Sequence, residues 1–202
     1  MAIMLDASQL RTCIKYALVF SFFQTIGLCA IPNLPSGIAV KILSPEMMAT
    51  FTIYRAPKKV CEALAEYPNG YFWASESFST AALLEYARAE RVIVFGSGSH
   101  HGRQDDILTD MKSLDGKDML LIRRDKPHLE KYQACFARVE IKSLTIDQAP
   151  FYLVLGRDFR YQTYRQIFLQ AAWNRYYQVP AWLQCRPTIL GEKYGFLRRQ
   201  EG

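Results

Sequence analysis

The sequence predicts an α/β protein, in which a three-layer arrangement of a mostly parallel sheet and flanking helices follows one amino-terminal apolar helix. Two observations predict the sheet: short runs of apolar, strand-favouring residues recur between residues 71 and 155, and segments with helical spacing separate the first of them. Strands that alternate with helices in this way pair in parallel and are covered by helices. A nearly all-apolar stretch over residues 14–31 predicts the amino-terminal helix.

Residues 1–31 are expected to form a unit of their own, a polar lead followed by the apolar stretch. This stretch has 18 residues with Lys15 as its one charge, which approaches the length of about 20 that a membrane span needs. A membrane helix is therefore predicted, with a buried core helix and the apolar region of a cleaved signal peptide as the alternatives. Arg11 lies before the stretch, Lys15 lies at its start, and the next basic residue is Lys41. The positive-inside rule therefore places the remaining chain in the periplasm.

Residues 32–202 are expected to form one α/β domain behind a linker that contains Pro32, Pro35, Ser36 and Gly37. Residues 38–53 fit no single element. The first half of the remaining pattern predicts helix 57–67, strand 71–74, helix 79–89 with Ser77 or Ser79 as its cap, strand 92–95 and a helix through 107–114. The second half predicts strand 119–122, a helix from 127 through 136, a bent strand 137–146, strand 151–155 and a long aromatic helix that Pro180 ends.

The glycine-rich loop GSGSHHG, residues 96–102, follows the strand 92–95 and precedes a helix. A strand, a glycine turn and a helix amino terminus together can hold a phosphate group. The spacing here is GxGxxxG, and the residues after Gly98 are too bulky for the close helix–strand contact that a third glycine permits. An ordinary loop and a nucleotide-binding loop are therefore both open readings.

Polar residues follow in the same loop: His100, His101, Arg103, Asp105 and Asp106. They predict a recognition loop at the carboxyl end of a strand, where open α/β sheets bind ligands. The alternative is that an aspartate caps the following helix while the histidines face solvent. The adjacent histidines point apart, so no shared metal is expected. The sequence contains no GxSxG, HExxH or P-loop pattern and no triad spacing, so no catalytic residue is assigned.

The composition argues against several classes of function. Half of the residues are apolar and 22% are charged, which is typical of a folded domain. The net charge of +6 forms no basic run or helical stripe, so nucleic acid is not an expected partner. No CxxC or Cys/His spacing occurs, so neither a metal nor another cofactor is predicted. The thiols are expected to be small buried residues, with one disulfide as the alternative: Cys13, Cys29, Cys61, Cys135 and Cys185.

The order of several motifs resembles one known family. ESFSTAALLEYA, RVIVFG, GRQDDILTDMKSLDGKDMLLI, FYLVLGRDF and YYQVPAWL follow one another as in the carboxyl-terminal extracytoplasmic region of bacterial family 39 glycosyltransferases. These polytopic membrane enzymes are related to dolichyl-phosphate-mannose protein mannosyltransferases and to lipid A aminoarabinose transferases. The resemblance covers about residues 32–196, and Glu76, Ser77 and residues 102–105 match a recurring part of that region.

The resemblance implies transfer of a sugar from a polyprenyl-phosphate donor to an acceptor at the outer face of the inner membrane. The family's catalytic acidic residue lies among amino-terminal membrane helices that have no counterpart in this sequence, so no catalytic residue is carried over. We therefore expect a membrane-anchored terminal domain, inactive alone, that binds a glycan or lipid acceptor or docks on a polytopic partner, with Glu76 among its docking residues. The alternative is a soluble Rossmann-like enzyme that binds a nucleotide or dinucleotide at residues 96–102.

Overall fold

The computed structural model describes residues 6–30, 33–67, 70–96, 104–177 and 189–196, and the chain divides into two compact units, residues 1–43 and 44–202. The first unit contains helix α1 (Ala7–Ala30) and helix α2 (Ser36–Ile42). Ser36 and Gly37, predicted as part of a linker, instead begin α2. The reason is that the carbonyl of Pro35 accepts the backbone N–H groups of Ile38 and Ala39, which closes the first helical turn.

Helix α1 confirms the predicted amino-terminal helix. Arg11 and Lys15 are its only charged residues. Its large apolar side chains point outward on all sides, with exposed fractions between 47 and 73%: Leu10, Ile14, Tyr16, Leu18, Val19, Phe20, Phe22, Phe23 and Ile26. In the part of the chain that the structure describes, no helix combines the length and the apolar character that a membrane crossing requires, so the predicted membrane-spanning helix is not found there.

The second unit contains a five-stranded sheet in the order β2-β1-β3-β5-β4. The strands are β1 (Phe72–Ser75), β2 (Ile93–Val94), β3 (Met119–Arg123), β4 (Phe136–Ile146) and β5 (Ala149–Phe159). β1 pairs in parallel with β2 and β3, whereas β5 pairs antiparallel with β3 and β4. The α/β class is confirmed, but the sheet is mixed, because a hairpin connects β4 directly to β5.

The helices of this unit match the predicted positions only in part. Helices Pro45–Arg55 and Ile189–Tyr194 lie where no helix was predicted, and the predicted helix 107–114 is divided into Gln104–Leu108 and a 3-10 helix, Met111–Leu114. The α-helices are α3 (Pro45–Arg55), α4 (Pro57–Leu64), α5 (Phe78–Arg88), α6 (Gln104–Leu108), α7 (Leu129–Gln133), α8 (Tyr161–Tyr164), α9 (Gln170–Ala172) and α10 (Ile189–Tyr194). A π-helical segment, Arg165–Leu169, joins α8 to α9, and a second one, Trp173–Tyr177, follows α9. Together they form one continuous run, the aromatic helix. Ser77 caps α5 as predicted, since its Oγ accepts the N–H of Thr80.

Both faces of the sheet are buried at its centre, strand β3, whereas the edge strand β4 is largely exposed or half-buried. Side chains of successive strand residues point to opposite faces, and Leu120, Leu121 and Ile122 are each no more than 2% exposed. Helix α3 packs against β5 and α5 against β1 and β2. On the other face, Phe95 lies within 4.9 to 6.3 Å of five aromatic rings, measured between ring centroids: Tyr132, Phe136, Phe159, Tyr164 and Phe168.

The cysteines fit the sequence expectation only in part. Cys135 is a fully buried small residue of the aromatic core, as predicted. Cys61 is half-buried, and burial raises the pKa of its thiol. Cys13 and Cys29 are exposed, because α1 exposes its side chains in every direction, and Cys185 lies outside the described residues. The four described cysteines are all free thiols.

Candidate functional site

The site lies at the carboxyl ends of β1 and β3. The connections that leave these two neighbouring strands run toward opposite sides of the sheet. From β1 the chain passes through α5 to β2 on one side, and from β3 it passes through α7 to β4 on the other side. The two connections therefore diverge, and this leaves a topological switch point at the carboxyl edge. Open α/β sheets bind their ligands in such a crevice.

Four side chains form a closed polar network at this edge of the sheet, which we call the edge network: Glu76, Arg123, Lys131 and Tyr132. Glu76 follows β1 and accepts from three donors, Arg123 Nη1 at 2.6 Å, Lys131 Nζ at 2.9 Å and Tyr132 Oη at 2.5 Å. Arg123 Nη1 also donates to Tyr132 Oη at 2.6 Å, and the same guanidinium is paired with Asp125. The network thus joins the end of β1, the end of β3 and helix α7.

Burial decides which members of the edge network can meet a ligand. The side chains of Arg123 and Glu76 are only 12 and 21% exposed, and Tyr132 is fully buried, whereas the side chain of Lys131 is 38% exposed. The Lys131 ammonium also lies 5.6 Å from the centre of the Phe168 ring, which helps to position it. Lys131 is therefore the member that faces the crevice most openly.

The protonation states of the edge network are fixed by their surroundings. Burial and then the charge of Glu76 raise the pKa of Tyr132, so its phenol stays protonated at neutral pH and donates to Glu76. Burial acts to lower the pKa of Arg123, but the hydrogen bond with Asp125 and the charge of Glu76 outweigh it and raise that pKa. The charged guanidinium of Arg123 and the protonated phenol of Tyr132 therefore both donate within the network.

The end of β2 is fastened beside the network. Gly96 has φ = +94°, a conformation that glycine adopts without strain, and its N–H donates to Tyr164 Oη at 3.0 Å. The ring of Phe95 stacks on Tyr132 at 6.1 Å, so the aromatic core supports both the turn and the network. The predicted glycine turn at residue 96 is confirmed. The rest of the loop lies outside the described residues, including His100, His101 and Arg103.

Asp105 and Asp106 are in the first turn of α6, as the capping alternative suggested, but both are buried. Asp105 Oδ1 accepts from Arg91 Nη2 at 2.9 Å, and no hydrogen bond or ion pair among the described residues joins Asp105 to Glu76. Asp106 Oδ2 accepts from Tyr177 Oη at 3.4 Å, and its backbone carbonyl accepts from Tyr194 Oη at 3.0 Å. The two aspartates therefore fasten α6 to its neighbours.

Sequence reasoning found one member of the edge network, Glu76, and missed Arg123, Lys131 and Tyr132. Glu76 was predicted from the family resemblance alone. Arg123 directly follows the predicted strand 119–122, which is parallel to β1, so strand direction would have placed it at the same edge. Tyr132 was recognised only as an apolar residue of a helix. Lys131 had no signal, since its position depends on how α7 packs.

The side chains of the edge network hold one another in place. Its phenol has a raised pKa, and its two cations are already paired with carboxylates. Among the described residues no three His, Cys, Asp or Glu side chains lie close enough together to hold a metal ion. No protein-family model, curated protein or solved structure matches this chain. The site therefore has to be interpreted from its own geometry.

Proposed function

We propose that this chain is a membrane-attached accessory domain of a polyprenyl-phosphate-sugar-dependent glycosyltransferase, inactive alone, which uses its carboxyl edge to hold a glycan or lipid acceptor or to dock on the polytopic catalytic partner. The observation that carries the proposal is the edge network at the switch point between β1 and β3. The motif order described above supplies the reaction class.

The edge network suits recognition because most of it is already rigid. Arg123 is held by Glu76, Asp125 and Tyr132, so little conformational entropy is lost when a ligand approaches. Lys131 donates to Glu76, and an ammonium group has three N–H donors, which leaves donors for a phosphate or hydroxyl oxygen. Lys131 is thus the expected contact, and Glu76 and Arg123 position it.

Helix α1 supports attachment to the membrane. It has basic residues at its amino-terminal end, Arg11 and Lys15, no charge in the remainder, and large exposed apolar side chains throughout. Apolar side chains of this size are stabilised when they leave water for lipid. The proposed location is therefore the inner membrane, with the α/β unit on the periplasmic side as the resemblance to an extracytoplasmic region implies.

Sugar transfer measured in membranes from cells that lack the chain tests the proposed role. Purified full-length chain alone is expected to transfer no sugar from a polyprenyl-phosphate donor, whereas its addition to the membranes should raise transfer to the endogenous acceptor. Lys131→Ala should reduce this gain. Lys142→Ala is the matched control, because Lys142 is similarly exposed and similarly paired with a glutamate but lies on β4. Transfer that is the same with and without the chain would show the proposal to be wrong.

A second candidate function, a nucleotide-binding enzyme, is favoured by one observation. Gly96 has positive φ at the carboxyl end of β2, and a Cβ built there meets no atom of the described residues within 4 Å. A glycine at such a position lets a phosphate approach the backbone closely. A ligand that binds only the folded state raises Tm. A rise with NAD, NADP or nucleotide sugars that Gly96→Val abolishes would favour this function over the first, and an unchanged Tm across the panel would remove it.

A further inference from the structure

A second cleft, of about 360 Å³, lies beside the edge strand β2 between helices α5 and α6. Sites for small molecules usually enclose about 300 to 1,000 Å³. None of the edge-network residues lines this cleft, so it is a separate feature of the α/β unit. Val92 and Val94 form its apolar wall.

The polar part of the cleft is held rigidly by Arg91. Its Nη1 pairs with Glu85 at 3.2 Å and its Nη2 pairs with Asp105 at 2.9 Å, so the guanidinium bridges α5 and α6. Glu85 also accepts the backbone N–H of Val92 at 3.1 Å. Side chains that are fixed in this way bind a ligand without first having to be ordered.

Two further polar groups in the cleft are available to a ligand. Asp105 uses Oδ1 for Arg91, and its Oδ2 has no hydrogen-bond partner among the described residues although the side chain is only 10% exposed. The amide of Gln104 also lines the cleft and makes no hydrogen bond within the described part of the chain. A carboxylate oxygen can only accept, whereas an amide both donates and accepts.

Aromatic rings flank these polar groups. Phe78 and Tyr86 are two turns apart on α5, with the small Ala82 between them, and all three line the cleft. Phe78 is 58% exposed and Tyr86 is 85% exposed, which is high for rings that bury well. Exposed ring faces beside fixed charges of both signs form a surface for a ligand that is apolar on one side and rich in hydroxyl groups around its rim.

We infer that this cleft binds a saccharide. The C–H face of a sugar ring packs on an aromatic face, and its hydroxyl groups both donate and accept, which matches the aspartate oxygen, the amide and the guanidinium at once. A purely apolar ligand would exclude water from Asp105 Oδ2 and would offer it no hydrogen bond in return, which is costly. This inference stands independently of the glycosyltransferase proposal, because it concerns another site and needs no partner.

Saturation-transfer NMR of the full-length chain in a zwitterionic, sugar-free detergent tests the inference. The probes are free glucose, mannose, galactose, N-acetylglucosamine and maltose. Saturable binding of at least one sugar is expected. Tyr86→Ala should weaken it at least about threefold, as the loss of one aromatic contact predicts. Gln104→Ala should weaken it as well. Tyr54→Ala is the matched control, since Tyr54 is an exposed tyrosine of α3 that does not line the cleft.

Indole is tested alongside the sugars as an apolar aromatic probe. Three outcomes would overturn the inference: no saturable binding of any sugar, sugar binding that Tyr86→Ala and Tyr54→Ala weaken equally, or binding of indole where no sugar binds. Unchanged Tm values would show that the variants are folded, and both tyrosines are exposed enough for this to be expected. If a sugar binds but transfer in the membrane assay is the same with and without the chain, the proposed role of the edge network is wrong and the saccharide site is still supported.

Discussion

Replacing Glu76 by alanine removes the one acceptor that the other three members of the edge network share. Arg123, which is only 12% exposed, keeps Asp125 as its partner but loses a charged hydrogen bond, and the buried phenol of Tyr132 loses its acceptor. A hydrogen bond to a charged group contributes about 1.5 to 3 kcal/mol, so the bonds from Arg123 and Tyr132 to the carboxylate together contribute about 3 kcal/mol at the lower end of that range, and the exposed pair with Lys131 adds little. We therefore expect Glu76→Ala to lower the free energy of unfolding by about 3 kcal/mol.

Urea unfolding followed by circular dichroism measures this loss, and Tm should fall by about 6 to 12 °C for a protein of this size. Glu90→Ala is the control, because Glu90 pairs with Arg88 but is 65% exposed, so its removal should cost no more than about 0.5 kcal/mol. A second variant checks the coupling: Tyr132→Phe should cost less in the Glu76→Ala background than in the native chain. A loss below about 1 kcal/mol for Glu76→Ala would mean that the network is not closed in solution.

Three further outcomes are expected. Gly156→Ala should destabilise the chain by about 1 to 3 kcal/mol in urea unfolding, because a Cβ at Gly156 would lie 2.6 Å from the Phe136 ring; Phe136→Leu in the same chain should recover part of the loss. The double change Phe20→Asp and Phe23→Asp should move the protein from carbonate-washed membranes to the supernatant, since charge is costly in lipid. The raised pKa of Tyr132 means that the folded state keeps a proton that the unfolded chain releases, so Tm should fall as pH rises above about 10. Tyr132→Phe should make that fall shallower.

The parallel half of the sheet could be predicted from sequence because its strands carry local signals. β1 and β3 lie within one residue of their predicted bounds, and β2 lies within the predicted run 92–95. Each of these strands is a run of apolar residues next to a segment with helical spacing. The strand pattern and the helical period differ enough to be distinguished. Burial on both faces makes such strands continuously apolar, which is the pattern that the sequence shows.

β4 lies within one residue of the predicted strand 137–146, and β5 contains the predicted strand 151–155. Their antiparallel pairing could not be predicted, because the turn between them has no sequence signal. β4 and β5 are joined by Asp147 and Gln148, both with positive φ, the geometry of a two-residue hairpin turn. Such turns are usually marked by Asn-Gly or Asp-Gly, and Asp-Gln is a poor substitute. Asp147 also pairs with Lys59 of α4 at 2.8 Å, a contact between residues far apart in sequence. Tertiary contacts of this kind accompany the turn and leave no local pattern.

The candidate site shows the same division between local and distant signals. Glu76 and Arg123 follow strand signals, so their shared edge follows from strand direction alone. The bond between Lys131 and Glu76 depends on α7, a five-residue helix whose placement is fixed by burial of Tyr132 in the aromatic core. The burial of Asp105 and Asp106 likewise depends on distant residues, since α6 turns both carboxylates toward neighbouring elements.

The edge network will stabilise the fold whether or not it binds a ligand, so stability alone cannot establish a functional role. Lys131 separates the two roles. It is the most exposed member, and an exposed ion pair contributes at most about 1 kcal/mol, so Lys131→Ala should leave Tm nearly unchanged. It is also the member with donors left for a ligand. If the network serves only the fold, Lys131→Ala and Lys142→Ala will behave alike in the transfer assay. A loss of transfer confined to Lys131→Ala, at unchanged Tm, can arise only if the crevice holds an acceptor or a partner.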